Sequence, residues 1–486
     1  MRAAMKYKRT HWIYIFESVY RFIPLLVLPL LRGFLAALKG SLYAWLSGTW
    51  IDICVVLMMV ALAVLRWHET EYAFDGEIFH LRGGLLRYRD CKIPISRLCT
   101  VSVESPWYYR IFGATKLRMD TQAGGNRSAD VEVTLKTATA LNILALARQE
   151  VNHGGKKIER RYSPRLLSIM IISAFLSNSF AGMAFVATFI SQLGTLAGRE
   201  LEDRFVGTFN RIVELLSFGI PPVAAAIAYI IIGGWLIGFL MNLLRHQNFE
   251  LCRDRSTLLI RGGLVTPRAT MVRISQLNFL SVRQGLFTKL IGVYTVFGHC
   301  AGMGKKKEDL TALAPASGRR ELEKNFRILF EEFPIAPLTV RPNWLALMRF
   351  LTDPLWPCVL LPLATHELIV LFPQWGELIL FVGFMACIPA YWWLAVRLVD
   401  FATSGIGADE KGVTMRYSHF LELNLVVIPW DKIVKVTFRQ SMFQKPDNKC
   451  DVFVYTRAES VQKHRVRNVD VDEAKKLMRV NEHGKT

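Results

Sequence analysis

Arg82, Arg87 and Arg89 flank the pair Gly83-Gly84, with Lys92 close behind, and Arg261, Arg268 and Arg273 recur around Gly262-Gly263. Alternate residues of an extended strand share a face, so Arg87 and Arg89 are expected to project together. Guanidinium groups side by side fork onto phosphate oxygens, which makes this ladder a candidate contact for anionic lipid headgroups. A solvated strand face beside an anionic membrane is the plainer alternative. A second basic candidate is the run from Gly298 through Gly302 and Gly304 to Lys305, Lys306 and Lys307. It looks like a phosphate loop but fails as one. Its first glycine lies one residue too far from Gly304-Lys305, and Lys306 stands where a magnesium-binding Ser or Thr is required. What remains is a flexible basic turn whose lysines can meet headgroups.

Other chemistry has little support. The ten His residues are dispersed, no HExxH is present, and His366-Glu367 are neighbours that face different ways on a helix. No GxSxG elbow or kinase signature occurs. The expectation is a protein with no catalytic, cofactor-binding or metal site. The eight Cys form no CxxC pair and read as reduced thiols.

The glycine pairs belong to a repeat. Leu81 to Leu98 reads LRGGLLRYRDCKIPISRL, and Ile260 to Leu277 reads IRGGLVTPRATMVRISQL. The same offset pairs Ile95-Ser96 with Ile274-Ser275, Ser102-Val103 with Ser281-Val282, and Gly113 with Gly292. A fixed offset over this length means one structural unit used more than once. Each copy reads locally as a strand, a Gly-Gly turn that tolerates positive φ, and a second strand. A diverged third copy places Ile428-Pro429-Trp430 over Ile93-Pro94-Ile95, with Tyr417-Ser418 where the glycines stood. Each copy ends in an amphipathic helix, marked by Leu141, Leu144 and Arg148, then Leu322, Phe326, Leu329 and Phe333, then Val471, Ala474 and Met478.

Apolar runs separate the copies. Of the 486 residues, 52% are hydrophobic, and 60 Lys and Arg stand against 40 Asp and Glu. An excess of +20 in a soluble protein would point to nucleic acid. Beside lipid-length apolar runs it reads as a surface facing anionic lipid, and no nucleic-acid partner is expected. Spans are expected at Phe22–Leu46, Trp50–Leu65, Leu166–Ser191, Phe218–Leu244, Leu355–Phe372 and Gly376–Val396, giving about six helices in three hairpins. Basic residues cluster in the polar segments near the spans, while the short connectors carry no positive excess. The N-terminus and the polar segments are therefore expected in the cytoplasm. No cleaved signal peptide is expected, and residues 1–21 read as a basic, aromatic interfacial segment.

The R-G-G-L turn, the Ile93-Pro94…Arg97-Leu98 step, the short aromatic helix ending at Gly113 and Leu117–Thr121 together resemble the YdbS/YdbT-like bacterial membrane proteins. The modules of that family are bacterial pleckstrin-homology-like domains of the second type. The resemblance implies a bent seven-stranded sheet with a C-terminal helix in each module, and it hands over no catalytic site. The fold class expected is thus a mixed membrane protein with three cytoplasmic PH-like domains. Domain bounds are 1–66 (N-terminus and first hairpin), 67–152, 153–244 (second hairpin), 245–336, 337–400 (third hairpin) and 401–486. The function expected is a scaffold in the cell membrane whose partners are the bilayer, anionic headgroups and another membrane protein of the same family. A transporter or channel using the helices as a path is the alternative, although charges deep in the spans are missing.

Overall fold

The computed structural model describes residues 7–19, 42–85, 88–121, 129–152, 160–175, 222–300, 312–457 and 461–479. The chain divides into two compact units, Met1–Glu159 with Cys252–Ile274, and Arg160–Leu251 with Ser275–Thr486.

The first repeat is preceded by β1 (Lys8–Arg9), α1 (Ile13–Val19) and α2 (Leu42–His68). It comprises β2 (Glu71–Phe74), β3 (Ile78–Gly83), β4 (Arg89–Pro94), a 3-10 turn at Ile95–Arg97 and β5 (Leu98–Glu104). Then come a short α3 (Trp107–Ile111), β6 (Ala114–Thr121), β7 (Val131–Lys136) and α4 (Thr137–Asn152). The buried face of α4 is Ala140, Ile143, Leu144 and Ala147, one position round from the expected Leu141, which is exposed.

The second repeat follows the same order. After β8 (Arg160–Tyr162), α5 (Leu166–Phe175) and α6 (Pro222–His246) come β9 (Glu250–Arg253), β10 (Thr257–Gly262) and β11 (Arg268–Arg273). A 3-10 turn at Ile274–Gln276 leads to β12 (Phe279–Gln284), α7 (Leu286–Ile291), β13 (Val293–His299), β14 (Ala312–Gly318) and α8 (Arg319–Leu329). Leu322, Phe326 and Leu329 form the buried stripe of α8, as their spacing predicts.

In the third repeat α9 (Leu347–Leu371) and α10 (Gly376–Thr403) precede β15 (Gly405–Ala408), β16 (Gly412–His419) and β17 (Glu422–Pro429). A 3-10 turn at Trp430–Lys432, β18 (Ile433–Arg439), β19 (Lys449–Arg457), β20 (Val461–Asp470) and α11 (Val471–Arg479) complete it. Turns replace the short helix between β18 and β19. The hairpin turn here is Phe420-Leu421, between the paired His419 and Glu422, and not Tyr417-Ser418, which lie inside β16. Phe420 takes φ +51° where Gly84 (φ +128°) and Gly263 (φ +95°) serve the first two repeats.

The sheets do not respect the repeats. In the first unit β1-β2-β3-β4 form one sheet, and β7-β6-β5-β11-β10 run consecutively in another. In the second unit the orders are β14-β13-β12-β17-β16-β15 and β18-β19-β20. The later strands of one repeat therefore pair with the earlier strands of the next. β5 meets β11 with Ser102 opposite Thr270 and Val101 opposite Met271. β12 meets β17 with Ser281 opposite Val426 and Leu280 opposite Val427. Val101, Leu117, Met119 and Ile143 share a core with Leu259 and Met271, and Phe279 joins Val413, Met415, Val452 and Val466. Burying such side chains is worth about 1.5–3 kcal/mol each.

Among the described residues two helices are long and apolar enough to cross a membrane, Trp344–Leu371 and Pro373–Thr403. Both keep proline inside, at Pro354, Pro357, Pro362 and Pro389. The other expected spans are only partly described. Trp50–Leu65 falls within α2 and most of Phe218–Leu244 within α6, whereas Leu166–Ser191 is described to Phe175 and Phe22–Leu46 only from Leu42. The count of six is not shown.

Candidate functional site

The first repeat splits the basic ladder in two. Arg82 donates to Glu71 at 3.1 Å and lies over the Tyr7 ring at 3.3 Å, so β3 uses it to hold β2 and the N-terminal segment. Arg89 and Lys92 are exposed on β4, Lys92 with Asp90 at 3.8 Å. Arg87, Lys305, Lys306 and Lys307 lie outside the described residues. The Gly83–Gly84 turn is tight for a physical reason beyond φ, because a Cβ on Gly83 would meet the Thr70 Cα at 2.9 Å.

In the second repeat Arg261 is exposed, while Arg268 and Arg273 close the boundary to the first. Arg268 pairs with Glu104 at 2.7 Å, and Glu104 also accepts from Arg118 at 3.1 Å. Arg273 donates to the carbonyl oxygens of Ser96 and, at 2.6 Å, Ile95. Gly262 ends β10 and Gly263 takes the turn. Among the described residues, Arg82, Arg268 and Arg273 are engaged with protein groups and do not join Arg89, Lys92 and Arg261 in one anion cradle.

Two features were missed by reading residues in sequence. Lys435, Arg439, Lys463 and Arg465 surround the rings of Phe453 and Tyr455 on one face of the β18-β19-β20 sheet. Alternation along each strand carries the signal, but only cross-strand register assembles it. Asp451 anchors this face. Burial opposes its ionisation, but Arg465, the Asn468 amide and Gln444 outweigh that and hold its pKa below the usual value.

The second feature is an apolar tip at the same place in each repeat. Trp107 and Ile111 of α3, Phe287, Leu290 and Ile291 of α7, and Met442 and Phe443 of the β18–β19 turn are exposed, Leu290 to 89% and Met442 to 86%. Each tip adjoins a helix of an apolar hairpin or the N-terminal helix. Phe112 meets Trp12 at 4.9 Å and Tyr108 meets Phe16 at 6.4 Å. Phe287 packs on Trp392 of α10 at 4.4 Å, and Arg349 of α9 donates to Ser441 at 3.1 Å. Those α9 and α10 residues lie at the same end of the helix pair, where the chain enters and leaves the β module.

That end is also fixed by charge. Arg397 and Asp400 are buried on α10, with Asp400 accepting from Ser418 of β16 at 2.7 Å and Arg397 reaching Asp400 at 3.3 Å. Asp353 of α9 pairs with Arg467 of β20 at 2.7 Å. At the N-terminus Glu17 and Glu132 share the ammonium of Lys116. Burial works against that charge, yet the two carboxylates raise the Lys116 pKa above its ordinary value. Among the described residues no cluster of His, Cys, Asp and Glu is arranged to hold a metal ion.

The bacterial PH domain family matches the chain three times, over residues 24–150, 204–323 and 359–483. These matches cover more than half of the chain, and the protein belongs to that family. The first and third matches begin within the apolar runs before their β strands and the second in the polar stretch before Phe218–Leu244, so each match takes in an apolar run together with its module. Neither the curated proteins nor the solved structures compared with the chain give a match.

Proposed function

We propose that the chain is a non-catalytic membrane scaffold of the YdbS/YdbT-like kind, with its three bacterial PH modules held at the cytoplasmic face of the cell membrane. They serve contact with membrane proteins of the same family and with anionic headgroups. The observation that carries this reading is the apolar tip of each module set against the end of an apolar helix or of the N-terminal helix. Apolar and aromatic side chains at a helix end favour the headgroup region, where they are partly desolvated. The basic face around Phe453 is the better candidate for headgroup phosphate, since four cations converge there. Each cation near an anionic surface contributes about 1 kcal/mol. The buried Arg397–Asp400 pair binds α10 to β16, a role in anchorage that gives the alternative of a transport path no support.

The test uses the full chain in nanodiscs containing phosphatidylglycerol. An environment-sensitive fluorophore on a cysteine at position 290 or 443 is expected to emit to the blue of one at position 410, and lipid-borne quenchers should reach only the first two. Equal emission and equal quenching at all three positions would remove the membrane-facing orientation.

A further inference from the structure

Each internal repeat boundary is a continued β-sheet, and both boundaries use one register. Counting from the shared 3-10 turns, Ser102 of β5 corresponds to Ser281 of β12 and Thr437 of β18. Thr270 of β11 corresponds to Cys91 of β4 and Val426 of β17. Ser102 stands opposite Thr270, and Ser281 opposite Val426. The flanking pairs agree as well, Arg268 with Glu104 and Asn424 with Arg283. Two unrelated slips would not reproduce the same offset, because a shift of one residue would turn every side chain to the wrong face.

Among the described residues the same two kinds of strand end the series without a partner strand. β4 terminates its sheet and β18 terminates another. Both show what pairing would cover. Val434 on β18 is 67% exposed, whereas Cys99, its counterpart on β5, is 1% exposed. Ser102 Oγ meets Thr270 Oγ1 at 2.9 Å across the first boundary, but Thr437 Oγ1 is buried without a hydrogen-bond partner. The basic clasp over the turn is also left open. Arg273 reaches the Ser96 carbonyl, and Lys432 donates to the equivalent Ser275 carbonyl at 3.0 Å. Arg97 corresponds to Lys432, and it is exposed with no partner among the described residues.

We propose that β4 of one copy of this chain pairs antiparallel with β18 of a second copy, repeating the internal boundary between molecules. Cys91 then lies opposite Thr437, Lys92 opposite Val436, and Arg97 reaches the Asp431 carbonyl. An exposed strand edge is a template for such addition. A second copy is the occupant favoured by continuity, since it brings the missing strand, the register and the turn carbonyl at once. The one opposing feature is Arg89 facing Arg439, a like-charge pair where the first boundary has Arg268 facing Glu104. Arg439 is turned over the Phe453 ring at 5.1 Å, as Arg283 is over Phe297 at 4.6 Å, which carries its charge aside. The contact is head-to-tail, so it closes into a ring or continues as an array. This inference rests on the scaffold reading and names one of its partners.

The test is disulfide trapping in native membranes, with two differently tagged full-length chains expressed together. One carries T437C with C91S, and the other keeps the natural Cys91. Mild oxidation should yield a reducible species of about twice the 55.4 kDa chain that carries both tags. The species should be at least tenfold weaker for V436C, whose side chain points to the other face. Arg89→Glu should raise its yield roughly two- to fivefold, by replacing the like-charge pair with an opposite one. Absence of the mixed-tag species, equal yields at positions 436 and 437, or a 91–437 disulfide within single chains would each overturn the second-copy pairing. Trapping of Cys91 to a different membrane protein, without the mixed-tag species, would also overturn it while leaving the scaffold reading intact.

Discussion

At the scale of single residues, charge is spent on joining repeats more than on presenting cations to solvent. Glu104 is mostly buried between Arg118 and Arg268, so Glu104→Ala removes the carboxylate that the two guanidinium groups share, while Arg118 keeps Glu132 at 3.7 Å. A loss of about 2 kcal/mol is expected in chemical denaturation, against less than about 0.5 kcal/mol for Arg261→Ala at the exposed end of β10. His464 gives the fold a pH dependence. It is buried at the second boundary, hydrogen-bonded to Tyr417 at 2.8 Å and Thr456 at 2.9 Å, with Phe279 at 4.8 Å. Burial pushes its pKa down from 6.5 to about 4. The folded chain thus keeps it neutral, whereas the unfolded chain takes up a proton below pH 6.5. Stability from this group is full above that pH and falls until about pH 4. Moving from pH 7 to pH 5 should cost about 2 kcal/mol through His464 and a similar amount through His299, whose pKa burial lowers to about 3, so His464→Gln should roughly halve their joint slope in thermal unfolding.

At the scale of elements, the turns and short helices divide structure from surface. Gly84 and Gly263 hold positive φ at equivalent turns, so Val at either position should destabilise its hairpin by roughly 1 kcal/mol or more, read from the urea midpoint. Phe420 meets the same backbone demand with a ring that lies 5.5 Å from Trp393 of α10. Phe420→Gly relieves the strain and loses that contact, so a net change below about 1 kcal/mol is expected. The amphipathic helices are legible from spacing, and α8 buries Leu322, Phe326 and Leu329 while Phe333 is buried just beyond its end. The place of α3 and α7 against other helices was not legible, because periodicity reports that a face is apolar and not what it meets.

For the whole molecule, the scaffold reading makes a topological claim. The turn at 440–448 should be cytoplasmic, so a cysteine at position 448 is expected to resist an impermeant maleimide in intact cells and to react after lysis. Labelling from outside would reverse the orientation. The repeat, the glycine turns of the first two copies and the apolar character of Leu355–Phe372 and Gly376–Val396 were determined by sequence alone, since each depends on local backbone geometry or on local hydropathy. Strand pairing was decided only by the tertiary structure. An unpaired edge offers the same N–H and C=O groups to any neighbour, and only packing of Leu259 and Met271 onto Val101 and Leu117 selects the next repeat over its own. That selection gave Arg268 and Arg273 their partners, drew Lys435, Arg439, Lys463 and Arg465 onto one face, and left β4 and β18 as ends.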